Sequence, residues 1–190
     1  LPRTIATGNM PSSSSAMAIA PVGIVNAGHP RAAAAQAMEL ASLIHVTDAA
    51  FCQDGAAAIA AAVARALDGR STVDQAIESA LSAIKPWSGR DIRQLIEQAL
   101  ELARTANDYQ GFRAAYHQRF RRAIACDSRE TVPATLAICR LAGGDPWKAV
   151  TYGANFGRDA DTIACMAGYV CGALSRDATA AHAALASLPQ

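Results

Sequence analysis

The sequence predicts an all-α protein. No segment alternates polar residues with β-branched or aromatic ones in the manner typical of strands. Between Asp91 and Thr105, apolar residues instead recur at helical spacing, with charged residues on the opposite face. The chain has 190 residues, 52% hydrophobic and 17% charged, which is enough to bury a sizeable core. No linker or shift in composition divides it, so we expect one domain.

Turn and capping residues divide the first half of the chain into three predicted helices. Pro30 suits the first position of a helix that runs toward residue 45. Asp54-Gly55 is expected to open a second helix through residue 67, which ends at Asp68-Gly69. Ser71, with Asp74 three residues later, resembles a capping box for a third helix that ends at residue 84.

Turn and capping residues also divide the second half of the chain into predicted helices. Residues 86–89 break the chain before the amphipathic helix 91–105, and Asn107-Asp108 separates that helix from one over 109–123. A helix over 131–141 stops before Gly143-Gly144, and Asp145-Pro146 begins the next one. The last predicted helices run from 161 to 174 and from 177 to 188.

Three hard oxygen donors lie close together at the start of helix 161–174. Asp159, Asp161 and Thr162 follow Gly157, which permits a sharp turn of the backbone into the helix. At a helix N-terminus both carboxylates can converge, and a divalent cation relieves their mutual repulsion. The alternative is an N-cap followed by a first-turn acid, which needs no metal. The pattern by itself favours this simpler interpretation.

The surrounding residues favour the metal interpretation through a resemblance. Residues 155–172 resemble the C-terminal signature of the ADP-ribosylglycohydrolase family, in which Gly-x-Asp-x-Asp-Thr-Ile-Ala opens a helix rich in Ala and Gly. Residues 7–10, 15–23, 130–134 and 145–150 resemble further segments of the same family. The resemblance implies a compact orthogonal helical bundle, of which residues 1–190 form the C-terminal part.

The resemblance also implies an activity, namely magnesium-dependent cleavage of a glycosidic bond to ADP-ribose or a related ribosyl group. It implies two Mg²⁺ ions, replaceable by Mn²⁺, with Asp159, Asp161 and Thr162 as ligands. Family members carry a Thr-Asp-Asp cluster in an N-terminal half that this sequence lacks. The expected partner is therefore a complementary N-terminal polypeptide or segment, which would also supply any general acid or base.

Candidate substrate-binding residues lie in two segments. Around the motif, Asn155 either binds a ligand or fixes the loop, and Arg158 either meets a phosphate or balances the acids. The Ser12–Ser15 run is interpreted as a loop near a ligand, although without the family it would be a flexible loop. The full set of candidates is Gly8, Asn9, Ser14, Ser15, Met17, Asn155, Gly157 and Arg158.

Two departures from the family pattern leave the substrate open. Residues 10–14 lengthen the loop after Gly8-Asn9, and Ala18 stands where the family often carries an arginine. One alternative is therefore a small-molecule N-ribosidase or N-glycosidase on the same scaffold. Another is a noncatalytic, crystallin-like structural or binding protein, against which the intact acids Asp159 and Asp161 argue.

Charge and cysteine usage exclude other classes of function. The formal net charge of +1 provides no field that would attract nucleic acid or an anionic membrane. The arginines between residues 113 and 122 are expected to form a solvated helix face opposite an apolar stripe. No apolar stretch approaches the roughly 20 residues that cross a bilayer, and no signal peptide is evident. Five cysteines without metal-type spacing indicate buried thiols in a reducing compartment, and we expect a cytoplasmic protein.

Overall fold

The computed structural model describes residues 10–45 and 49–175 of the chain. This part folds into ten helices and contains no strand, which confirms the predicted all-α class. The helices are α1 Ser14–Ala18, α2 Ala20–Val25, α3 Pro30–Ala41, α4 Ala50–Ala66, α5 Val73–Ala83, α6 Arg90–Thr105, α7 Tyr109–Phe120, α8 Ser128–Leu141, α9 Pro146–Ala154 and α10 Ala160–Leu174.

Helix α4 lies at the centre of the bundle. It is rich in alanine and buried along almost its whole length, and it packs against α1, α2, α3, α5 and α10. Small side chains allow several helices to approach one axis closely. At Gly23 of α2, an added Cβ would lie 2.7 Å from the Cβ of Val63 on α4, so only glycine fits this crossing. The alanines of α4 therefore determine how tightly the bundle closes.

An aromatic cluster packs the arginine-rich helix α7 onto the segment that precedes α10. Tyr116 stacks on Phe120, with ring centroids 4.3 Å apart, and contacts Phe156 edge to face at 5.2 Å. Arg113 donates from Nε to the Phe156 carbonyl at 2.8 Å. The predicted apolar stripe of this helix is thus its buried face, and the stripe anchors the loop before the acidic motif.

Several predicted helix boundaries were wrong. Helix α4 begins at Ala50, so Asp54 lies inside the helix and not at its start. Its Oδ1 accepts the Lys85 N–H at 2.8 Å, across the fold. The capping box of α5 is formed by Thr72 and Gln75, and not by Ser71 and Asp74.

Two other helices also differ from their predicted limits. Helix α8 starts at Ser128, three residues earlier than predicted, because Asp127 caps it. Helix α7 stops at Phe120 and does not reach residue 123. The predicted helix 177–188 lies outside the described residues.

The cysteines agree with the sequence interpretation as small buried residues. All five are free thiols; Cys52, Cys139 and Cys171 are buried, and Cys126 and Cys165 are half-buried. None of the described helices combines the length and apolar character that a membrane crossing requires.

Candidate functional site

The three predicted metal ligands meet at the N-terminus of α10. Asp159 occupies the N-cap position, and its side chain makes no capping hydrogen bond to the helix backbone. Asp161 follows in the first turn and is exposed, whereas Thr162 is buried. The turn into the helix uses two successive residues in the left-handed region, Gly157 at φ 89° and Arg158 at φ 63°. The need for this conformation explains the glycine.

The electrostatics of Asp159 show that the donors converge. Burial raises the pKa of the Asp159 carboxyl, and the nearby Asp161 carboxylate raises it further. Hydrogen bonds from the hydroxyls of Thr162 and Ser13 act in the opposite direction. Two neighbouring carboxylates are costly unless a proton or a cation lies between them.

The segment before α1 brings a further hydroxyl to the acids. The Ser13 N–H donates to the Cys126 carbonyl at 2.7 Å, and the Ser128 N–H donates to the Pro11 carbonyl at 2.8 Å. These bonds attach the segment to the start of α8. The Ser13 hydroxyl then lies 3.1 Å from the Cys126 carbonyl and 3.3 Å from Asp159 Oδ2, and its single proton donates to one of them at a time.

Sequence reasoning placed Ser13 only within the Ser12–Ser15 loop near a ligand. It selected the adjacent Ser14 and Ser15 as substrate-binding residues and did not select Ser13. Ser13 directly precedes α1, which makes it the N-cap residue of that helix. The preference for serine at the N-cap would have pointed to the Ser12–Ser15 run but could not have distinguished Ser13 within it. Its side chain nevertheless bonds across the fold, which no local rule predicts.

The other predicted residues of this segment lie at different depths. Ser14 is exposed, and its hydroxyl is 2.8 Å from that of Ser12. Ser15 is buried, with no hydrogen-bond partner for its hydroxyl among the described residues. The Thr162 hydroxyl lies 3.4 Å from Met17 Sδ, which brings Met17 to the acid cluster. Gly8 and Asn9 lie outside the described residues.

Asn155 and Arg158, the polar candidates before the motif, make contacts within the protein. Asn155 ends α9 and donates from Nδ2 to the Thr151 carbonyl at 2.8 Å. Arg158 donates to the Glu130 carboxylate from Nε at 2.8 Å and from Nη2 at 3.0 Å. These bonds account for both side chains without a ligand, and substrate contact by either residue stays a prediction.

The donor set fits a hard divalent cation. Carboxylate and hydroxyl oxygens are the ligands that Mg²⁺ and Mn²⁺ prefer, and no basic side chain of the described residues neutralises the charge of Asp159. Mg²⁺ takes six oxygens in nearly octahedral geometry, of which these residues could supply three. Within residues 10–45 and 49–175, no group of three or more His, Cys, Asp or Glu side chains could hold a metal ion by itself. The cluster is therefore suited to be part of a site.

A separate cavity of about 550 Å³ lies between α3, α4 and α5. Its lining includes Arg31, Arg65 and Glu78 and none of the predicted site residues. The candidate site is thus assigned from the chemistry and convergence of its donors and not from the presence of a cavity.

Comparison with known proteins gives two matches. The sequence model of the ADP-ribosylglycohydrolase family matches residues 2–178. The uncharacterized protein YegU of Escherichia coli (strain K12) is 34% identical over 139 residues, which are 68% of this chain and 40% of that protein. The chain thus spans less than half the length of this curated relative. No solved structure matches it significantly.

Proposed function

Because the chain belongs to the ADP-ribosylglycohydrolase family, we propose that it contributes part of the active site of a magnesium-dependent glycohydrolase. The bond cleaved is a glycosidic bond to ADP-ribose or a related ribosyl group. The convergence of Asp159, Asp161 and Thr162 at the start of α10 is the observation that carries this proposal.

Each residue of the cluster has a distinct role in this proposal. Asp159 and Asp161 supply anionic oxygens for up to two Mg²⁺ ions, and Thr162 supplies a neutral oxygen from a buried position. Ser13 orients Asp159 through its hydroxyl. Bound Mg²⁺ would supply charge stabilisation and hold the ribose hydroxyls and a water molecule in place.

The remaining ligands are proposed to come from a complementary N-terminal segment. Two carboxylates and one hydroxyl leave the coordination of Mg²⁺ incomplete. The curated relative extends well beyond the matched region, which is 40% of its length. Intact mass spectrometry of the native protein tests this proposal. We expect a longer chain or a second polypeptide containing an acidic pair, and a native species of 19.7 kDa would contradict it.

One observation favours a second candidate, a small-molecule N-ribosidase. Ala18 is exposed, and it stands next to Met17 where an arginine is expected. Loss of this cation would weaken the binding of a diphosphate more than the binding of a neutral nucleoside. A panel of ADP-ribosylated peptides and small N-ribosides, assayed with the protein and its N-terminal segment, separates the two candidates. Preferential hydrolysis of the ribosides would overturn the ADP-ribosyl assignment.

Cation binding tests the site itself. We expect the chain, assayed together with its N-terminal segment, to bind Mn²⁺ saturably, as counted by electron paramagnetic resonance of the free ion. Asp159→Asn and Asp161→Asn should each weaken binding by about tenfold or more, because a carboxylate contributes charge as well as an oxygen. Helical content, measured by circular dichroism, should stay unchanged.

Asp68→Asn is the matched control, since Asp68 is an exposed acid beside Arg65 and outside the cluster. This variant should bind Mn²⁺ like the wild type. Equal Mn²⁺ affinity in all four proteins would show that the cluster is not the cation site.

A further inference from the structure

Arg158, directly before Asp159, is held by a buried carboxylate. Its guanidinium donates from Nε to Glu130 Oε1 at 2.8 Å and from Nη2 to Oε2 at 3.0 Å. Nη2 also donates to the Arg122 carbonyl at 2.6 Å. The Glu130 side chain is only 1% exposed and that of Arg158 is 18% exposed. Two bonds from one guanidinium to one carboxylate fix both the distance and the orientation of the pair.

Glu130 is itself fixed by groups that do not belong to the motif. The Arg122 N–H donates to Glu130 Oε2 at 2.7 Å, and the Tyr116 hydroxyl donates to the Glu130 carbonyl at 2.6 Å. Glu130 also lies in the first turn of α8, where a negative charge is favoured by the helix dipole. The position of Glu130 is therefore set by the fold, and the Arg158 side chain contacts it there.

Without this partner, the guanidinium would have two other carboxylates within the reach of its side chain. Asp159 is the next residue and Asp161 lies three residues after Arg158, whereas the guanidinium donates to Glu130 and to the Arg122 carbonyl. An arginine paired with these acids would occupy their oxygens and cancel the charge that attracts a cation.

We propose that Glu130 is a positioning residue that sequesters Arg158, so that Asp159 and Asp161 remain free to bind a divalent cation. This inference rests on the cation site proposed above. It assigns to Glu130, 29 residues before Asp159 in the sequence, a function in cation binding that is exerted entirely through Arg158.

Mn²⁺ titrations of four variants, each assayed together with the N-terminal segment, test the inference. Glu130→Gln keeps the size of the side chain and its acceptor for the Arg122 N–H but removes the charge that holds Arg158. We expect its Mn²⁺ affinity to be about fivefold to tenfold weaker, the scale of competition from one partly exposed ion pair. The double variant Glu130→Gln/Arg158→Gln removes the competitor as well, and its affinity should return to within about twofold of wild type.

Arg158→Gln and Glu101→Gln complete the set. Arg158→Gln should bind Mn²⁺ at least as well as wild type, even where the unpaired buried Glu130 lowers its thermal stability. Glu101→Gln removes a carboxylate from the exposed pair with Arg104 on α6 and should leave Mn²⁺ affinity unchanged. Circular dichroism establishes that each variant is folded.

The outcomes separate this inference from the proposed function. Wild-type Mn²⁺ affinity in folded Glu130→Gln would overturn the inference. A double variant that binds Mn²⁺ as weakly as Glu130→Gln would also overturn it, because Glu130 would then affect the site through the fold and not through Arg158. If Glu130→Gln does not fold, a large loss of affinity in Arg158→Gln overturns it instead. If the folded wild-type chain with its N-terminal segment shows no saturable Mn²⁺ binding, the cation site is refuted, and the inference with it.

Discussion

Gly153 lies where α9 and α10 approach closely, and Gly153→Ala should force them apart. An added Cβ would lie 2.5 Å from the Cα, 2.7 Å from the backbone nitrogen and 3.0 Å from the Cβ of Ala164. Two of these three atoms belong to the backbone of α10, so no side-chain rotation can relieve the contact. Ordinary van der Waals contact begins at 3.4 Å, and the helices must therefore separate.

The magnitude follows from two opposing effects. Overpacking of this kind costs about 1–3 kcal/mol of unfolding free energy. The gain in helix propensity from glycine to alanine, up to about 1 kcal/mol, offsets part of this cost. We expect a net loss of roughly 1–2 kcal/mol, which corresponds to a decrease in Tm of about 2–8 °C for a chain of this size.

Gly172→Ala provides the matched control for this prediction. Gly172 lies within α10, and an added Cβ there would have no heavy atom of residues 10–45 or 49–175 within 4 Å. This variant should be more stable than wild type by about 0.5–1 kcal/mol, since only the propensity gain remains. Urea denaturation followed by circular dichroism compares the three proteins. A Gly153→Ala variant as stable as Gly172→Ala would refute the close approach of α9 to α10.

The same variant connects packing to the candidate site. Helix α10 carries Asp161 and Thr162, so its displacement changes their distance from Ser13 and Met17. Gly153→Ala should therefore also weaken Mn²⁺ binding, whereas Gly172→Ala should not.

Two further predictions concern buried ionisable groups. Burial raises the pKa of Asp54, so its contribution to stability is fully present below the unfolded pKa, about 3.9, and is lost as pH rises through the folded value. Measured by urea denaturation, the unfolding free energy of Asp54→Asn relative to that of wild type should thus increase between pH 4 and 7. A difference between the two proteins that stays constant with pH would contradict this. Burial raises the pKa of Cys52 to about 11, and Cys139 and Cys171 are also buried. In the native protein, a thiol reagent at pH 8 should therefore modify only Cys126 and Cys165 rapidly. After denaturation it should modify all five thiols. Rapid modification of Cys52 in the native protein would disprove its burial.

Local patterns predicted most of the helices correctly, but not where several of them begin. The apolar spacing of α6 and the proline at the start of α3 act within one or two turns, so the sequence shows them directly. Asp54 was misread because an acid followed by glycine is typical of a helix start. The actual partner of Asp54 is Lys85, 31 residues away, and no local pattern contains that contact.

The residues of the candidate site also differ in whether the sequence alone could identify them. Asp159, Asp161 and Thr162 are close in sequence, so their chemistry could be recognised from the chain alone. Ser13 and Glu130 could not be connected with them, because they lie 146 and 29 residues from Asp159. Ser13 reaches the acids because the segment before α1 is hydrogen-bonded to the start of α8.

The sequence by itself determined the helical class, the acidic motif and the family, since each depends on residue types at short and regular spacing. The tertiary structure decided which side chains orient the motif and which hold Arg158 away from it. Those choices depend on helix packing around the alanines of α4 and on buried polar groups that must find partners. Both arise only when distant segments of the chain meet.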